Sequence, residues 1–111
     1  MLKTVLSEME RLKLRNIILY NSGGLSIIAD YFLLSTADSL IQMEGIRNRL
    51  IELMDEYGVN LKNPLEEWHD GWCLLDFGNL IIHIFLEEIR SFYNLEGIFS
   101  GAGFKTQKIS K

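Results

Sequence analysis

The sequence predicts a small α/β domain in which a mixed β-sheet of about five strands packs against helices. Two observations support this prediction. Residues 72–77 and 80–86 are apolar at nearly every position, whereas a strand with one solvated face alternates apolar and polar residues. Residues 39–57 instead repeat apolar side chains every three or four positions, which is the period of a helix that packs against a core.

The N-terminal half is predicted to form helix, strand, strand and helix. Residues 2–13 carry the apolar stripe of a short amphipathic helix. Residues 16–20 form a strand that ends at the turn sequence NSGG, and residues 30–36 form a second, buried strand. The helix of residues 39–57 follows, and Gly58 ends it at the usual C-terminal position.

The C-terminal half is predicted to contain a weak strand, a hairpin and a helix. Residues 60–62 offer only a short strand, because turn-forming residues surround them. The pair Gly78-Asn79 forms a tight turn between the two apolar strands. Residues 87–93 begin with acidic side chains, which favour a helix N-terminus. We expect one domain over residues 1–99, and a flexible basic tail over the Gly-rich residues 100–111.

Composition limits the kinds of partner and compartment. The chain has 11 basic and 15 acidic side chains and a net charge of −4. This balance predicts little direct nucleic-acid binding and fits docking on a basic protein surface. Cys73 is the single cysteine, which excludes an internal disulfide and suggests a reducing compartment. No apolar run approaches the ~20 residues of a membrane span, and the N-terminus does not resemble a signal peptide. We therefore expect a cytoplasmic protein with no membrane partner.

The residue types needed for catalysis or metal binding lack the required spacing. His69 and His83 are the two histidines, and neither has a companion at metal-ligand spacing. The pair Gly23-Gly24 lacks the pattern of a phosphate-binding loop. Cys73 and His83 are expected to point to opposite faces of the hairpin, with Cys73 a small core residue. We predict no catalytic residue, no metal and no cofactor.

One face of the hairpin is the candidate binding surface. Trp72, Leu74 and Asp76 point to the same side of a regular strand. The turn brings Asp76 near Ile81 and His83, which predicts an Asp–His pair. This face is either ordinary core or an exposed apolar patch of the kind that marks an interaction site. His83 is likewise either a hydrogen-bonded structural residue or a direct partner contact.

Three sequence blocks resemble the ribosomal silencing factor family, also called the Iojap family. They are IADYFLLST (28–36), GWCLLDFGNLIIHIF (71–85) and EIRSFYNLEGIF (88–99), in the family's order. The resemblance extends from about Leu2 to Phe99. It implies a nucleotidyltransferase-like shape without catalytic activity, and a domain that is commonly dimeric.

The resemblance also implies a function. Members bind the fourteenth protein of the large ribosomal subunit on the face that meets the small subunit. They thereby block subunit joining and repress translation when nutrients are scarce. Carried onto this chain, the resemblance suggests that the partner-binding residues are Trp72, Leu74, Asp76, His83 and Tyr93.

Two alternatives belong to other functional classes. A diverged nucleotidyltransferase would need a second carboxylate two positions after Asp30 to hold magnesium, but that position is Phe32. A homodimeric binding module with another partner is the second alternative. The lysines of residues 100–111 could touch ribosomal RNA, although lysines on a loose end usually serve solubility.

Overall fold

The computed structural model describes residues 1–63 and 70–110, and the prediction made for His69 lies outside them. The described residues form a five-stranded sheet in the order β3-β4-β2-β1-β5, in which β2 and β4 run parallel and the other pairs antiparallel. The mixed α/β fold is thus confirmed. The elements are α1 (Leu2–Arg11), β1 (Arg15–Asn21), β2 (Tyr31–Ala37), α2 (Leu40–Glu56), β3 (Trp72–Asp76), β4 (Leu80–Leu86), α3 (Glu87–Tyr93), α4 (Leu95–Gly101) and β5 (Lys105–Lys108).

Helix α2 begins and ends where its sequence dictates. The Ser39 hydroxyl accepts a hydrogen bond from the Gln42 backbone N–H (3.0 Å), which satisfies one free donor of the first turn. Gly58 follows the helix with φ +75°, a conformation that glycine adopts without steric cost. The predicted apolar stripe is buried at Met43, Ile46, Leu50, Leu53 and Met54. Its last predicted member, Tyr57, follows the helix and is instead 47% exposed.

Each face of the sheet is covered by a different part of the chain. On the helical face, α1 and α2 pack on buried residues of every strand except β5, among them Leu33, Cys73 and Ile82. On the opposite side, which we call the aromatic face, Phe99 and Phe104 pack over the buried strand residues Tyr20, Phe32, Leu34, Ile81 and Phe85. This two-sided burial explains why β2 and β4 lack polar alternation.

The prediction of a strand at residues 60–62 is wrong. These residues have no regular secondary structure. Leu61 packs against the core of the helical face, and hydrogen bonds join the segment to the outer edge of β3. The Lys62 backbone N–H donates to the Asp76 carbonyl (2.8 Å). The Asn63 side-chain amide donates to the Leu74 carbonyl (2.8 Å) and accepts from the Asp76 N–H (2.9 Å). An amide side chain therefore satisfies backbone groups that a neighbouring strand would otherwise pair.

Residues 105–108, expected within a flexible tail, instead form β5 and pair with β1. Backbone hydrogen bonds to β1 and the ring of Phe104 hold this segment on the sheet. The polar composition of the segment predicts neither contact. The ring of Phe104 stacks 5.6 Å from both Phe32 and Phe99. Lysines suit an edge strand, because their charge discourages pairing with another chain.

Helix α4 was not predicted. Its two glycines, Gly97 and Gly101, lower helix propensity. Asn94 offsets this weakness, because its side chain caps the helix by accepting from the Gly97 N–H (3.3 Å). Asn94 itself has φ +46° and separates α3 from α4.

Phe104→Ala is expected to lower the free energy of unfolding by about 1–3 kcal/mol, because it removes a half-buried ring from the aromatic face. Urea denaturation followed by circular dichroism measures the change. Lys105→Ala, one residue away and exposed, is the matched control and should stay within about 0.5 kcal/mol of the unsubstituted chain. Equal stability of the two variants would show that residues 104–108 do not anchor to the sheet.

Candidate functional site

Strand pairing places four predicted site residues on the aromatic face. Trp72 lies opposite Phe85, Leu74 opposite His83, and Asp76 opposite Ile81. Directly opposed residues of antiparallel strands share one face of the sheet. The prediction of a shared face for Trp72, Leu74, Asp76 and His83 is therefore confirmed. Cys73 lies in the core of the helical face, so its predicted separation from His83 is also confirmed.

The aromatic face is covered unevenly. Phe85 of β4 is fully buried, and His83 is 7% exposed. Trp72, Leu74 and Asp76 of β3 are only half-buried, because α3, α4 and Phe104 pack mainly over the central strands. The hairpin face is thus part core and part surface, and its accessible portion lies along the outer strand.

Helix α3 extends this accessible portion with two aromatic residues. The Tyr93 ring lies 4.8 Å from that of Trp72 and is 44% exposed. Phe92 is 79% exposed and meets Tyr93 edge-on at 5.1 Å. We call the combined surface the aromatic patch; its members are Trp72, Leu74, Asp76, His83, Phe92 and Tyr93. The sequence-based list omitted Phe92, and its place next to Tyr93 in the chain was the one signal for it.

The predicted Asp–His pair is absent, and Trp72 takes the place of the carboxylate. The Trp72 indole Nε1–H donates to His83 Nδ1 at 3.0 Å. The Asp76 carboxylate instead accepts from the Gly78 backbone N–H at 2.9 Å, within the hairpin turn. The bond from the Gly78 N–H holds the Asp76 side chain near the turn. The Trp72 indole is long enough to extend diagonally from β3 to His83 on β4. Burial lowers the pKa of His83 to about 4, so its ring is neutral at physiological pH.

Arg90 fixes α3 to the sheet. Its guanidinium Nη1 donates to the Asn16 carbonyl (2.8 Å) and to the Thr36 hydroxyl (2.9 Å). Its Nε donates to the Glu96 carboxylate at 2.9 Å. Asn16 has φ +49° and lies where the β1–β2 register shifts. Arg90 therefore sets the height of α3, and with it Tyr93, above the sheet. No local sequence pattern identifies this role.

Exposed acidic side chains lie at the start of α3 and just before β3. Glu87 and Glu88 open α3 and are exposed, and Asp70 is exposed just before β3. These two chain segments are held together by a hydrogen bond from the Leu86 N–H to the Gly71 carbonyl (2.9 Å). Asp70 lies two residues before Trp72, whereas Glu87 and Glu88 line a groove with Arg15 and Asp38.

The part of the chain that the structure describes contains neither a candidate metal site nor a membrane-spanning helix. Within residues 1–63 and 70–110, no group of three or more His, Cys, Asp or Glu side chains could hold a metal ion. No helix in the same part of the chain is long and apolar enough to cross a lipid bilayer. Phe32, at the position where a nucleotidyltransferase would need its second carboxylate, is buried in the aromatic face.

These features define a small mixed α/β domain that exposes an aromatic patch on one sheet face. The chain belongs to the ribosomal silencing factor family: the family model described as "Ribosomal silencing factor during starvation" matches residues 1–111. The predicted family is thereby confirmed.

Individual relatives agree with this assignment. The chain is 30% identical over 103 residues to Ribosomal silencing factor RsfS of Halalkalibacterium halodurans, covering 92% of this chain and 87% of the relative. It is 37% identical over 73 residues to Protein Iojap, chloroplastic, of Arabidopsis thaliana, covering 65% and 30%. A crystal structure of a Chromobacterium violaceum protein has the same fold, with a TM-score of 0.80, 23% identity and coverage of 88% and 82%. The name of the Halalkalibacterium halodurans relative is that of a regulatory factor and not of an enzyme.

Proposed function

We propose that this protein binds the large ribosomal subunit through the aromatic patch and sterically prevents joining with the small subunit, which represses translation in the cytoplasm. Family membership supports the class of function. The observation that carries the assignment to this surface is the half-exposed row of Trp72, Leu74 and Asp76 beside buried aromatic residues. The proposed direct partner is the fourteenth protein of the large subunit. The protein would act by occupying the face of the large subunit that meets the small subunit, and this needs no catalysis.

The composition of the patch suits a protein partner. Aromatic side chains are enriched at the centres of protein interfaces, where they bury a large area at low entropic cost. Trp72 and Tyr93 are held in contact with each other, so binding would need little rearrangement of either. A standard interface buries about 800 Å² per partner, a modest share of the 6372 Å² that the chain exposes.

Charge supports a basic protein surface as the partner. The chain has a net charge of −4, and complementary charge between two proteins raises the association rate and selects partners. The lysines of β5 lie at the opposite edge of the sheet from β3. Contacts with ribosomal RNA through these lysines would therefore be separate from the patch. A homodimer remains a prediction of the family resemblance.

Leu74→Asp is expected to weaken binding to the large subunit by about tenfold or more, because it places a charge in the centre of the apolar contact. The measurement is co-sedimentation with separated large and small subunits over a range of protein concentrations. Ile41→Asp is the matched control: Ile41 is 83% exposed on α2, away from the patch, and this variant should bind like the unsubstituted chain.

Two outcomes would contradict the proposal. Pelleting with the small subunit as strongly as with the large subunit would reject the stated partner. Equal binding by folded Leu74→Asp and Ile41→Asp would reject the stated surface. Light scattering of mixed subunits tests the consequence: the unsubstituted chain should slow subunit joining, and folded Leu74→Asp should not.

A further inference from the structure

The hydrogen bond between Trp72 and His83 fixes which imidazole nitrogen carries the proton. An indole N–H can only donate, so His83 Nδ1, at 3.0 Å from Trp72 Nε1, must be the acceptor and carries no proton. A neutral imidazole has one N–H. Because burial keeps the ring neutral at physiological pH through a lowered pKa, that N–H is at Nε2.

The Nε2–H donor of His83 has no hydrogen-bond partner among the described residues and is not fully enclosed. Among residues 1–63 and 70–110, the bond from Trp72 is the one side-chain hydrogen bond of His83. No fully enclosed side-chain N or O atom in this part of the chain lacks a partner. Nε2 has none, so it is not fully enclosed. His83 as a whole is 7% exposed, so this donor belongs to a nearly buried side chain whose orientation is fixed by its surroundings.

We propose that His83 supplies the directional polar contact of the aromatic patch: its Nε2–H donates a hydrogen bond to an oxygen acceptor on the docked ribosomal protein, and Trp72 is a positioning residue that holds the ring in the donor tautomer. This inference rests on the proposed function. The His83 ring also lies against two aromatic rings, with Phe85 stacked at 5.9 Å and Phe99 tilted at 6.3 Å. They restrict the ring's rotation and so fix the direction of the donor.

Such a contact would select the partner. Docking removes water from Nε2, so a surface without an acceptor at this point would leave a desolvated donor unpaired. The apolar members of the patch can pack against many apolar surfaces. The Nε2–H group, in contrast, is satisfied only by a surface that places an oxygen acceptor at one position. Specificity of this kind arises from penalising wrong partners as much as from attracting the right one.

Three substitutions separate the two nitrogens. In His83→Gln the amide N–H takes approximately the position of Nε2 and keeps the donor. In His83→Asn the amide oxygen takes approximately the position of Nδ1, which keeps the acceptor for Trp72 and leaves no donor at the Nε2 position. His83→Phe keeps the ring and removes both functions. Large-subunit binding should fall about tenfold for Asn and Phe and stay within about threefold for Gln.

A second measurement is independent of ribosomes. Nitrogen-15 NMR of the unsubstituted chain at neutral pH should show a protonated Nε2 and an unprotonated Nδ1, and Trp72→Phe should give a mixture of tautomers. An Nδ1–H tautomer in the unsubstituted chain would overturn the inference whether or not the His83 variants fold. So would a folded His83→Asn that binds like the unsubstituted chain. If the unsubstituted chain itself fails to bind large subunits, the proposed function fails and this contact loses its partner, whereas the tautomer result is unaffected.

Discussion

Arg90→Met should lower the free energy of unfolding by about 2–4 kcal/mol, the largest stability loss expected from any single substitution considered for this chain. Methionine keeps most of the apolar stem and removes the guanidinium. The Thr36 hydroxyl and the Asn16 carbonyl then lose their donor inside the fold. Glu96 loses a partner as well, but its side chain is 39% exposed and can be hydrated. Urea denaturation monitored by circular dichroism measures the change.

The control is an arginine in an exposed ion pair. Arg15 donates to the Asp38 carboxylate at 2.8 Å, and both side chains are substantially exposed. Arg15→Met should therefore cost less than about 1 kcal/mol. Similar losses for the two variants would mean that burial does not distinguish Arg90. Folded Arg90→Met should also bind large subunits more weakly, because Arg90 fixes the helix that carries Tyr93.

Trp72→Ala should weaken binding to the large subunit by about 1–3 kcal/mol, or roughly five- to a hundredfold in affinity. The indole contacts Phe85 at 5.1 Å and Tyr93 at 4.8 Å, and it donates to His83. Removing it deletes the largest accessible ring of the patch, loosens Tyr93 and releases the imidazole. Co-sedimentation at varied protein concentration gives the affinity, below the melting temperature of the variant.

Loss of an aromatic ring elsewhere provides the control. Tyr57 is 47% exposed at the end of α2, where its hydroxyl is 3.0 Å from that of Thr4. Tyr57→Ala is expected to cost some stability and to leave ribosome binding unchanged. Folded Trp72→Ala that pellets with large subunits as well as Tyr57→Ala would remove Trp72 from the proposed interface.

Local patterns in the sequence were sufficient for most elements. The boundaries predicted for α1, α2, α3 and the strands β1 to β4 agree with the structure within two residues. Apolar period, capping side chains and the Gly78-Asn79 turn act over a few residues, so they can be recognised without the fold. The unbroken apolar runs also indicated that both faces of the sheet are covered, as Cys73 on one side and Phe85 on the other confirm.

Predictions failed where residues distant in sequence meet. The fifth strand is β5 and not residues 60–62, because it depends on the free edge of β1 and on the Phe104 anchor. The partner of His83 is Trp72 and not Asp76. The indole is long enough to donate to His83, whereas the Asp76 carboxylate accepts from the Gly78 N–H in the turn. Neither choice is encoded by spacing alone.

The sequence by itself determined the family, the order of most helices and strands, and the set of side chains that share the hairpin face. The tertiary structure alone decided which of those side chains stay accessible, how Arg90 holds α3, and which nitrogen of His83 can donate. The period of the apolar side chains reflects the average environment of a segment. The local structure that follows from this period depends on interactions between residues close in sequence. Exposure and hydrogen-bond pairing instead depend on what packs above each residue, and that is set by contacts between segments far apart in the chain.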